Sequence, residues 1–296
     1  MRPLTKYLST YFRDDPLILV DVGCRRGLDP LWADFGDSIR AYCFDADEQE
    51  CARLNQQNTP NVTYIPAVIA GKVGEATLYE TRLNESVGLY QTNQKFFGRL
   101  LNCENARLMG TKLVATTTLD EVRKVYDIPA PDFIKLDVEG AELDILQSTD
   151  LSGTFGFFSE FRFHRAINGC PTFAELDIFA NGKGFMLFDI MFTRQSRKTL
   201  PYKAPRIMHW PNGERFHAYT TFGQVMDGDA LYLRDAVRFK LTRNQILKAA
   251  CIFESFNLSD CAAELLINRE KDAEIDVVHC LDLLAGGSFK TYLENY

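Results

Sequence analysis

The chain has 296 residues, of which 46% are hydrophobic and 25% are charged, and these proportions are ordinary for a globular protein of substantial size. Its 33 basic and 40 acidic residues give a formal net charge of −7, which argues against a broad surface for nucleic acid or an anionic membrane but leaves room for a local basic patch. Because the chain shows no signal-peptide pattern and no apolar run long enough to cross a bilayer, we expect a cytoplasmic protein without membrane insertion.

The eight cysteines contain no Cys-x-x-Cys pair and do not cluster with the four histidines, so the usual zinc-binding patterns are missing. A disulfide scaffold is not expected in a chain of this length without a secretory signal. We therefore predict reduced, mostly buried thiols and no metal site, and the alternative that stays open is a Mg²⁺ ion bound by the carboxylates of Asp137, Glu139 and Glu160.

The first part of the chain alternates between short apolar runs, typical of strands buried on both faces, and helical patterns. Strands are predicted at 17–22, 39–44 and 62–65, with helical segments at 7–12, at 30–35 and after Asp47. Asp47 is placed to cap the helix that follows it. This alternation within about 50 residues is the signature of strand–helix–strand units and a parallel sheet.

The later part of the chain predicts further strands and helices, and from about residue 241 the apolar residues recur at helical spacing. Strands are predicted at 74–79, 113–117, 133–137, 155–163, 185–192 and 230–233, helices at 119–126, 140–146 and 173–181, and a turn at 211–213. We predict a doubly wound, Rossmann-like α/β fold with about seven mostly parallel strands in residues 1–240. Residues 241–296 predict a small carboxyl-terminal helical appendage, which could mediate homodimerisation.

The first candidate for a ligand site is the glycine loop after the first predicted strand. Asp21 precedes the spacing Gly23-x-x-x-Gly27, and glycines at such a strand–helix turn let backbone amides approach a ligand closely. The spacing differs from the Gly-x-Gly-x-x-Gly of a dinucleotide fingerprint, which disfavours a nicotinamide dehydrogenase. By itself, the loop is also compatible with a tight turn that binds nothing.

The second candidate is Asp45, at the carboxyl end of the second predicted strand and 22 residues after Gly23. In doubly wound folds an acid at this position hydrogen-bonds the ribose hydroxyls of a nucleoside cofactor. The alternative is that Asp45 only caps the next helix, but Asp47 serves that purpose better. The loop and the acid together predict a nucleoside-type cofactor.

The third candidate is the acidic string at the end of the predicted strand 133–137. Asp137, Glu139 and Glu142 place three carboxylates within six residues, at the sheet edge where open α/β folds bind ligands. Compensation of the helix dipole is the alternative explanation for them.

This string resembles a known family. The segment Asp132–Leu146, DFIKLDVEGAELDIL, closely resembles the hallmark segment of the FkbM family of methyltransferases. Val20–Gly27 is similar to the cofactor loop of that family, and Phe44-Asp45 to its acidic end of strand two, where glutamate is more usual. The resemblance spans residues 17–234, and the segment Cys24-Arg25-Arg26 departs from the Ala-Asn of many members.

The resemblance implies an S-adenosylmethionine-dependent methyltransferase domain in residues 1–240, acting on a hydroxyl group of a glycan or of a small natural product. No nucleic-acid partner is expected. The residues expected to contact the cofactor are Asp21, Gly23, Cys24, Arg25, Gly27, Asp45, Ala46, Ala67, Val68, Ser86 and Asp137.

Methyl transfer to a hydroxyl group requires the acceptor oxygen to lie in line with the methyl group and a general base to take its proton. The candidates for that base are Asp137, Glu139, Glu160 and His164. Two other functions stay open: methylation of an amine or a protein side chain, and a non-catalytic module that binds a partner through its carboxyl-terminal helices.

Overall fold

The computed structural model describes residues 2–83, 86–210 and 212–295, and a seven-stranded sheet forms its centre. The strands of the chain are β1 (Leu17–Val22), β2 (Ile39–Asp45), β3 (Val62–Pro66), β4 (Val68–Ile69), β5 (Gly74–Thr81), β6 (Leu108–Thr117), β7 (Phe133–Leu136), β8 (Gly156–Arg162), β9 (Met186–Gln195), β10 (Ile207–His209), β11 (Arg215–His217) and β12 (Gln224–Leu233).

The central sheet has the strand order β3-β2-β1-β7-β8-β12-β9. The pairs from β3 to β8 are parallel, whereas β12 runs antiparallel to both β8 and β9. The predicted doubly wound sheet of about seven mostly parallel strands is therefore confirmed. Because the chain order reverses between β1 and β7, the two halves of the sheet diverge there and leave a crevice at the carboxyl ends of the strands.

Helices cover both faces of the sheet and fill the carboxyl-terminal part. They are α1 (Pro3–Leu8), α2 (Glu48–Asn55), α3 (Gln94–Phe97), α4 (Leu119–Val125), α5 (Glu142–Gln147), α6 (Phe173–Gly182), α7 (Arg243–Ser255), α8 (Ser259–Asn268), α9 (Glu270–Ala273), α10 (Val277–Ala285) and α11 (Phe289–Glu294).

Two helix predictions near the amino terminus need correction. The first helix spans Pro3–Leu8 rather than 7–12, because Pro3 suits the first helical position and only a 3₁₀ turn follows Leu8. The stretch predicted as a helix at 30–35 is a 3₁₀ segment, Pro30–Ser38, interrupted at Gly36, where φ is 55°. Asp47 caps α2 as predicted, since its side chain accepts hydrogen bonds from the next turn.

The alternation of side chains along each strand divides the hydrophobic core into two clusters. On one face Val20, Ile134 and Phe157 belong to the cluster that includes residues of α4, α5 and α6. On the other face Leu17 and Phe133 belong to the cluster that includes residues of α1, α7, α8 and α10. Burial on both faces explains why the strands read as continuous apolar runs in the sequence.

The carboxyl-terminal helices share this second cluster with the sheet. The ring of Phe253 in α7 lies 5.6 Å from that of Phe155, between centroids, and the ring of Phe256 lies 5.5 Å from that of Phe133. Lys248 of α7 is buried and forms a 3.0 Å ion pair with Asp132, just before β7. The boundary predicted at residue 240 falls shortly before α7, and the division into two domains stays a prediction.

Two smaller sheets lie beside the central one. One has the order β4-β6-β5, and the other is the antiparallel pair of β10 and β11. The turn predicted at 211–213 joins β10 to β11, although Pro211 itself lies outside the described residues. Within the described part of the chain, none of the helices is long and apolar enough to span a membrane.

Candidate active site

A large cavity lies at the carboxyl ends of β1, β2 and β7. Its volume is about 1440 Å³, which exceeds the roughly 300–1,000 Å³ of a typical small-molecule site. Ten of the eleven residues predicted to contact a cofactor line it: Asp21, Gly23, Cys24, Arg25, Gly27, Asp45, Ala46, Ala67, Val68 and Asp137. The space is thus large enough for a cofactor and a second molecule.

The glycine loop has a backbone that requires glycine. Gly23 and Gly27 have φ values of 89° and 90°, in the region that residues with a Cβ rarely adopt. A Cβ atom on Gly23 would lie 1.9 Å from the carbonyl oxygen of Asp137. The loop after β1 and the chain end of β7 are therefore in direct contact, and Gly23 and Asp137 both line the cavity.

Lys135 joins the same two segments from within the sheet. Its Nζ lies 3.2 Å from Asp21 Oδ1, 3.5 Å from Asp137 Oδ2 and 3.2 Å from the carbonyl oxygen of Gly23. Burial alone would lower the pKa of Lys135, but the carboxylates of Asp21 and Asp137 outweigh it and raise the pKa above the ordinary value. The lysine is a structural ion-pair partner that positions the loop and Asp137.

Asp45 lies where an acid would meet a ribose. Its Oδ1 accepts a 2.8 Å hydrogen bond from the amide of Asp47, and its Oδ2 makes no hydrogen bond to any residue that the structure describes. Burial raises the pKa of Asp45. A carboxylate with one oxygen held by the backbone and the other available is well suited to accept a hydrogen bond from a ligand hydroxyl.

The acidic residues after β7 form a tight turn, and their side chains have different roles. Glu142 turns back, and its Oε1 accepts hydrogen bonds from the amides of Val138 at 3.0 Å and Gly140 at 3.1 Å. Glu139 adopts a left-handed conformation with φ of 59°, and it lines the cavity with Asp137. Glu142 is thus structural, whereas Asp137 and Glu139 face the cavity.

Arg162 neutralises two of the candidate acids. Its guanidinium group lies 2.5 Å from Glu139 Oε2 and 2.5 Å from Glu160 Oε1. Burial raises the pKa of Glu139 to about 7 and that of Glu160 well above its usual range, despite the opposing charge of Arg162. Glu160 does not line the cavity.

The carboxylates of Asp137, Glu139 and Glu160 could in principle hold a metal ion, because one oxygen of each lies within 4.8 Å of the others. The positive charge among them is already provided by Arg162, which contacts both glutamates. The absence of a metal from the reaction stays a prediction.

His164 and Ser86, two other predicted site residues, do not line the cavity. His164 Nε2 lies 2.8 Å from the side-chain nitrogen of Gln224 and 2.9 Å from the carbonyl oxygen of Val225. Ser86 is held at its backbone, where the carbonyl oxygen accepts a hydrogen bond from Thr81, and the next residue, Val87, lines the cavity. The preceding loop residues 84 and 85 lie outside the described residues.

Asp229 of β12 is a cavity residue that the sequence did not single out. It pairs in register with Glu160 of β8 and Met191 of β9. Burial, together with the nearby charges of Asp137 and Asp227, raises the pKa of Asp229 to about 6. Its side chain makes no hydrogen bond or ion pair to another described residue, so both carboxylate oxygens are available to a ligand.

The cavity continues beyond Asp137 between two walls. Residues from β5 and β6 form one wall, and Asp189 and Met191 of β9 form part of the other. Arg82 on the first wall contacts Glu214 of the β10–β11 pair, and its guanidinium carbon lies 4.8 Å from the ring centre of Trp210. This contact connects the β10–β11 pair to the rim of the cavity.

The model of the FkbM methyltransferase domain matches residues 37–186 of this chain, which is half of its length. The chain belongs to the FkbM methyltransferase family. It is accordingly an S-adenosylmethionine-dependent methyltransferase, as the resemblance implied. The matched residues include Asp45, Asp137 and Glu139, whereas the glycine loop and Asp229 lie outside them.

Solved methyltransferases match the chain at very low sequence identity and with low TM-scores. The precorrin-6Y C5,15-methyltransferase of Geobacter metallireducens is 10% identical, with 78% of this chain and 87% of that chain covered and a TM-score of 0.32. Human methyltransferase-like protein 13, solved with SAH, is 11% identical, with 88% and 90% covered and a TM-score of 0.34. No curated protein matches the sequence significantly. Since these TM-scores are low, the site is interpreted from its own residues.

Proposed function

We propose that this FkbM-family enzyme transfers a methyl group to a hydroxyl oxygen of a glycan or another small polyhydroxylated acceptor. The proposal rests on the continuous cavity. This cavity extends from Asp45, the acid expected to bind the ribose, past Asp137 to Asp229, whose carboxylate has no partner among the described residues. S-adenosylmethionine supplies the methyl group as part of a sulfonium that is already strongly electrophilic. The protein has to position the acceptor and remove its proton.

The residues of the glycine-loop side suit the cofactor. Gly23 and Gly27 line the cavity beside Asp45, and Asp45 Oδ2 has no hydrogen-bond partner among the described residues. Asp137 contacts Lys135, which joins it to the glycine loop, and it lines the same cavity. It is therefore the acid between the cofactor side and the acceptor side of the cavity. We assign Asp45 to the ribose hydroxyls and Asp137 to the region where the two molecules meet.

Asp229 is the general base in this proposal. Glu139 and Glu160 are engaged by Arg162, and His164 lies outside the cavity, whereas Asp229 lines the cavity without a partner among the described residues. A base with a pKa of about 6 is ionised at neutral pH and still accepts a proton readily. Its carboxylate would take the proton of the acceptor hydroxyl as the oxygen–carbon bond forms.

The charge of the cavity favours a hydroxyl acceptor over an amine. Acidic residues outnumber basic ones among those that line it by ten to six, and Asp137, Asp189 and Asp229 lie in the part that would hold the acceptor. Neighbouring carboxylates raise the pKa of an amine and keep it protonated, so that no lone pair is available for methyl transfer. Hydroxyl groups, in contrast, donate hydrogen bonds to carboxylates without changing charge.

The proposal is tested in two steps. Calorimetric titration with S-adenosylhomocysteine should show micromolar binding that is lost in Asp45→Ala and kept in Asp260→Ala, an exposed acid in α8. A radiolabelled methyl-transfer screen should then label polyhydroxylated acceptors, such as monosaccharides and hydroxylated lactones, in preference to amines and peptides. Undiminished binding by Asp45→Ala would contradict the cofactor assignment, and labelling confined to amines or peptides would contradict the acceptor class.

A further inference from the structure

The segment between β9 and β12 has a charge opposite to that of the chain as a whole. From Arg194 to Phe222 it holds six basic residues and one acidic residue, Glu214, in a chain where acidic residues outnumber basic ones by 40 to 33. The single acid is engaged by Arg82. A local basic patch of the kind that the overall composition allowed is therefore present in one region.

Backbone hydrogen bonds gather part of this region into one surface. The amide of Lys198 donates to the carbonyl oxygen of Arg99 at 3.1 Å, and the amide of Thr221 donates to that of Lys203 at 3.0 Å. The rings of Tyr202 and Phe222 contact each other with centroids 5.8 Å apart. The basic–apolar surface, as we name it, consists of Arg99, Lys198, Leu200, Tyr202, Lys203 and Phe222.

The apolar members of the basic–apolar surface are exposed. Leu200 is 76% exposed, Phe222 is 63% exposed and Tyr202 is 49% exposed. Single exposed apolar side chains are common, but a group of them beside cations marks an interaction site. Tyrosine is also a residue enriched at the interface between water and lipid, because its ring is apolar and its hydroxyl is polar.

The cations of the basic–apolar surface lack acidic partners. None of the ion pairs in the described part of the chain involves Arg99, Lys198 or Lys203, and the nearby Glu104 is taken by Arg82 and Arg107. Burial and the charge of Arg99 together lower the pKa of Arg197, the residue next to Lys198. The region therefore has a positive potential that an anionic partner would complement.

We infer that the basic–apolar surface docks the enzyme on an anionic lipid bilayer. Cations beside aliphatic and aromatic side chains are the combination that peripheral membrane surfaces use, with the cations at the headgroups and the apolar side chains at the acyl boundary. Leu200, the most exposed apolar member, is aliphatic and offers no stacking face to a nucleic-acid base. This docking is independent of the methyl acceptor.

The test is co-sedimentation of the full chain with vesicles of phosphatidylcholine, with and without phosphatidylglycerol. Binding should require phosphatidylglycerol and should weaken with salt. It should fall by at least roughly 25-fold in Lys198→Glu/Lys203→Glu, at roughly fivefold for each cation removed, and it should also fall in Leu200→Ser/Phe222→Ser.

The matched control is Val125→Ser/Lys240→Glu, which replaces a 78% exposed apolar side chain and an exposed lysine elsewhere. This variant should bind the vesicles nearly as well as the wild type, and S-adenosylhomocysteine binding by all variants should confirm that they are folded. Failure of the folded wild type to bind anionic vesicles would overturn the inference. So would equal binding by the surface variants, or binding to nucleic acid in place of vesicles.

Discussion

Asp229 lines the cavity, and its burial lowers the stability of the folded protein. Its carboxylate is largely buried and has no partner within the described ranges of the chain, and burial together with the charges of Asp137 and Asp227 raises its pKa from 3.8 to about 6. An acid whose pKa is higher in the folded than in the unfolded protein destabilises the fold once the pH exceeds both values. The residue therefore lowers stability at neutral pH, as is common for residues that are kept for activity.

We predict that Asp229→Asn loses activity and gains stability. As the general base, Asp229 should contribute roughly 10²- to 10⁴-fold to kcat/KM, and in the wild type kcat/KM should fall as the pH drops below about 6. At about pH 8 the variant should be more stable by on the order of 1–2 kcal/mol after screening by solvent. This gain should shrink near pH 5, where the wild-type side chain is protonated.

Thermal unfolding at the two pH values and a pH–rate profile check this expectation, with Asp260→Asn as the control for the amide substitution at an exposed site. A variant with normal kcat/KM would show that another group takes the proton. A variant that is less stable than the wild type at pH 8 would show that Asp229 has a structural partner.

The site residues that were predictable from the sequence lie at the carboxyl ends of parallel strands. Asp21, Asp45 and Asp137 follow this rule, and all three line the cavity. Asp229 was missed because β12 runs in the opposite direction, so that a residue in the middle of that strand reaches the same edge. Glu160 was predicted from its place after an aromatic strand at the next sheet edge, and His164 because it lies just beyond. Neither position reveals that Arg162 engages Glu160 and that His164 contacts Gln224.

At the level of elements, α7 holds the amino-terminal helix through a buried carboxylate. Glu254 Oε2 accepts hydrogen bonds of 2.7 Å from both the amide and the hydroxyl group of Thr5, and Oε1 accepts one of 3.1 Å from the amide of Leu4. The first amides of a helix have no partners within it. Glu254 thus acts as an N-terminal cap supplied by a distant part of the chain.

Replacing Glu254 with alanine should leave these donors buried and unpaired. We expect a loss of at least about 2 kcal/mol in the free energy of unfolding, measured by urea denaturation. Hydrogen exchange in Pro3–Leu8 should accelerate more than elsewhere. The exposed Glu264→Ala in α8 is the control, and equal protection of α1 in both variants would contradict the capping role.

Most elements of the fold were predictable because their signals are local. The strands β1, β2 and β7 appear as apolar runs, and Asp47 marks the start of α2. The start of α1 has one local signal, Pro3 at the first helical position, but Arg2 offers no side-chain cap and the capping group comes from Glu254, some 250 residues away. Long-range partners of this kind leave no local pattern.

At the level of the whole molecule, the carboxyl-terminal helices form part of the core. The apolar side of α7 packs on the sheet through Phe253 and Phe256, and Phe256 also lines the cavity. A chain ending at residue 240 would expose this face of the sheet and open one side of the site.

We therefore predict that residues 1–240 alone do not fold cooperatively. The shortened chain should show no sharp thermal transition and no binding of S-adenosylhomocysteine, measured by calorimetry beside the full chain. The physical reason is the loss of a large apolar contact, worth about 25 cal/mol for each Å² exposed. Cooperative unfolding with unchanged ligand binding would establish residues 1–240 as an independent domain.

The uneven distribution of charge has a consequence that does not depend on what the basic–apolar surface binds. A protein that is acidic as a whole but has a basic region on one side carries an electric dipole. Its net charge of −7 is a sum over all residues and does not describe this asymmetry. In an electric field that varies over the length of the protein, such a molecule rotates into one orientation before it contacts a charged surface. It should therefore be retained on cation exchangers that repel most acidic proteins of similar isoelectric point, and always in the same orientation.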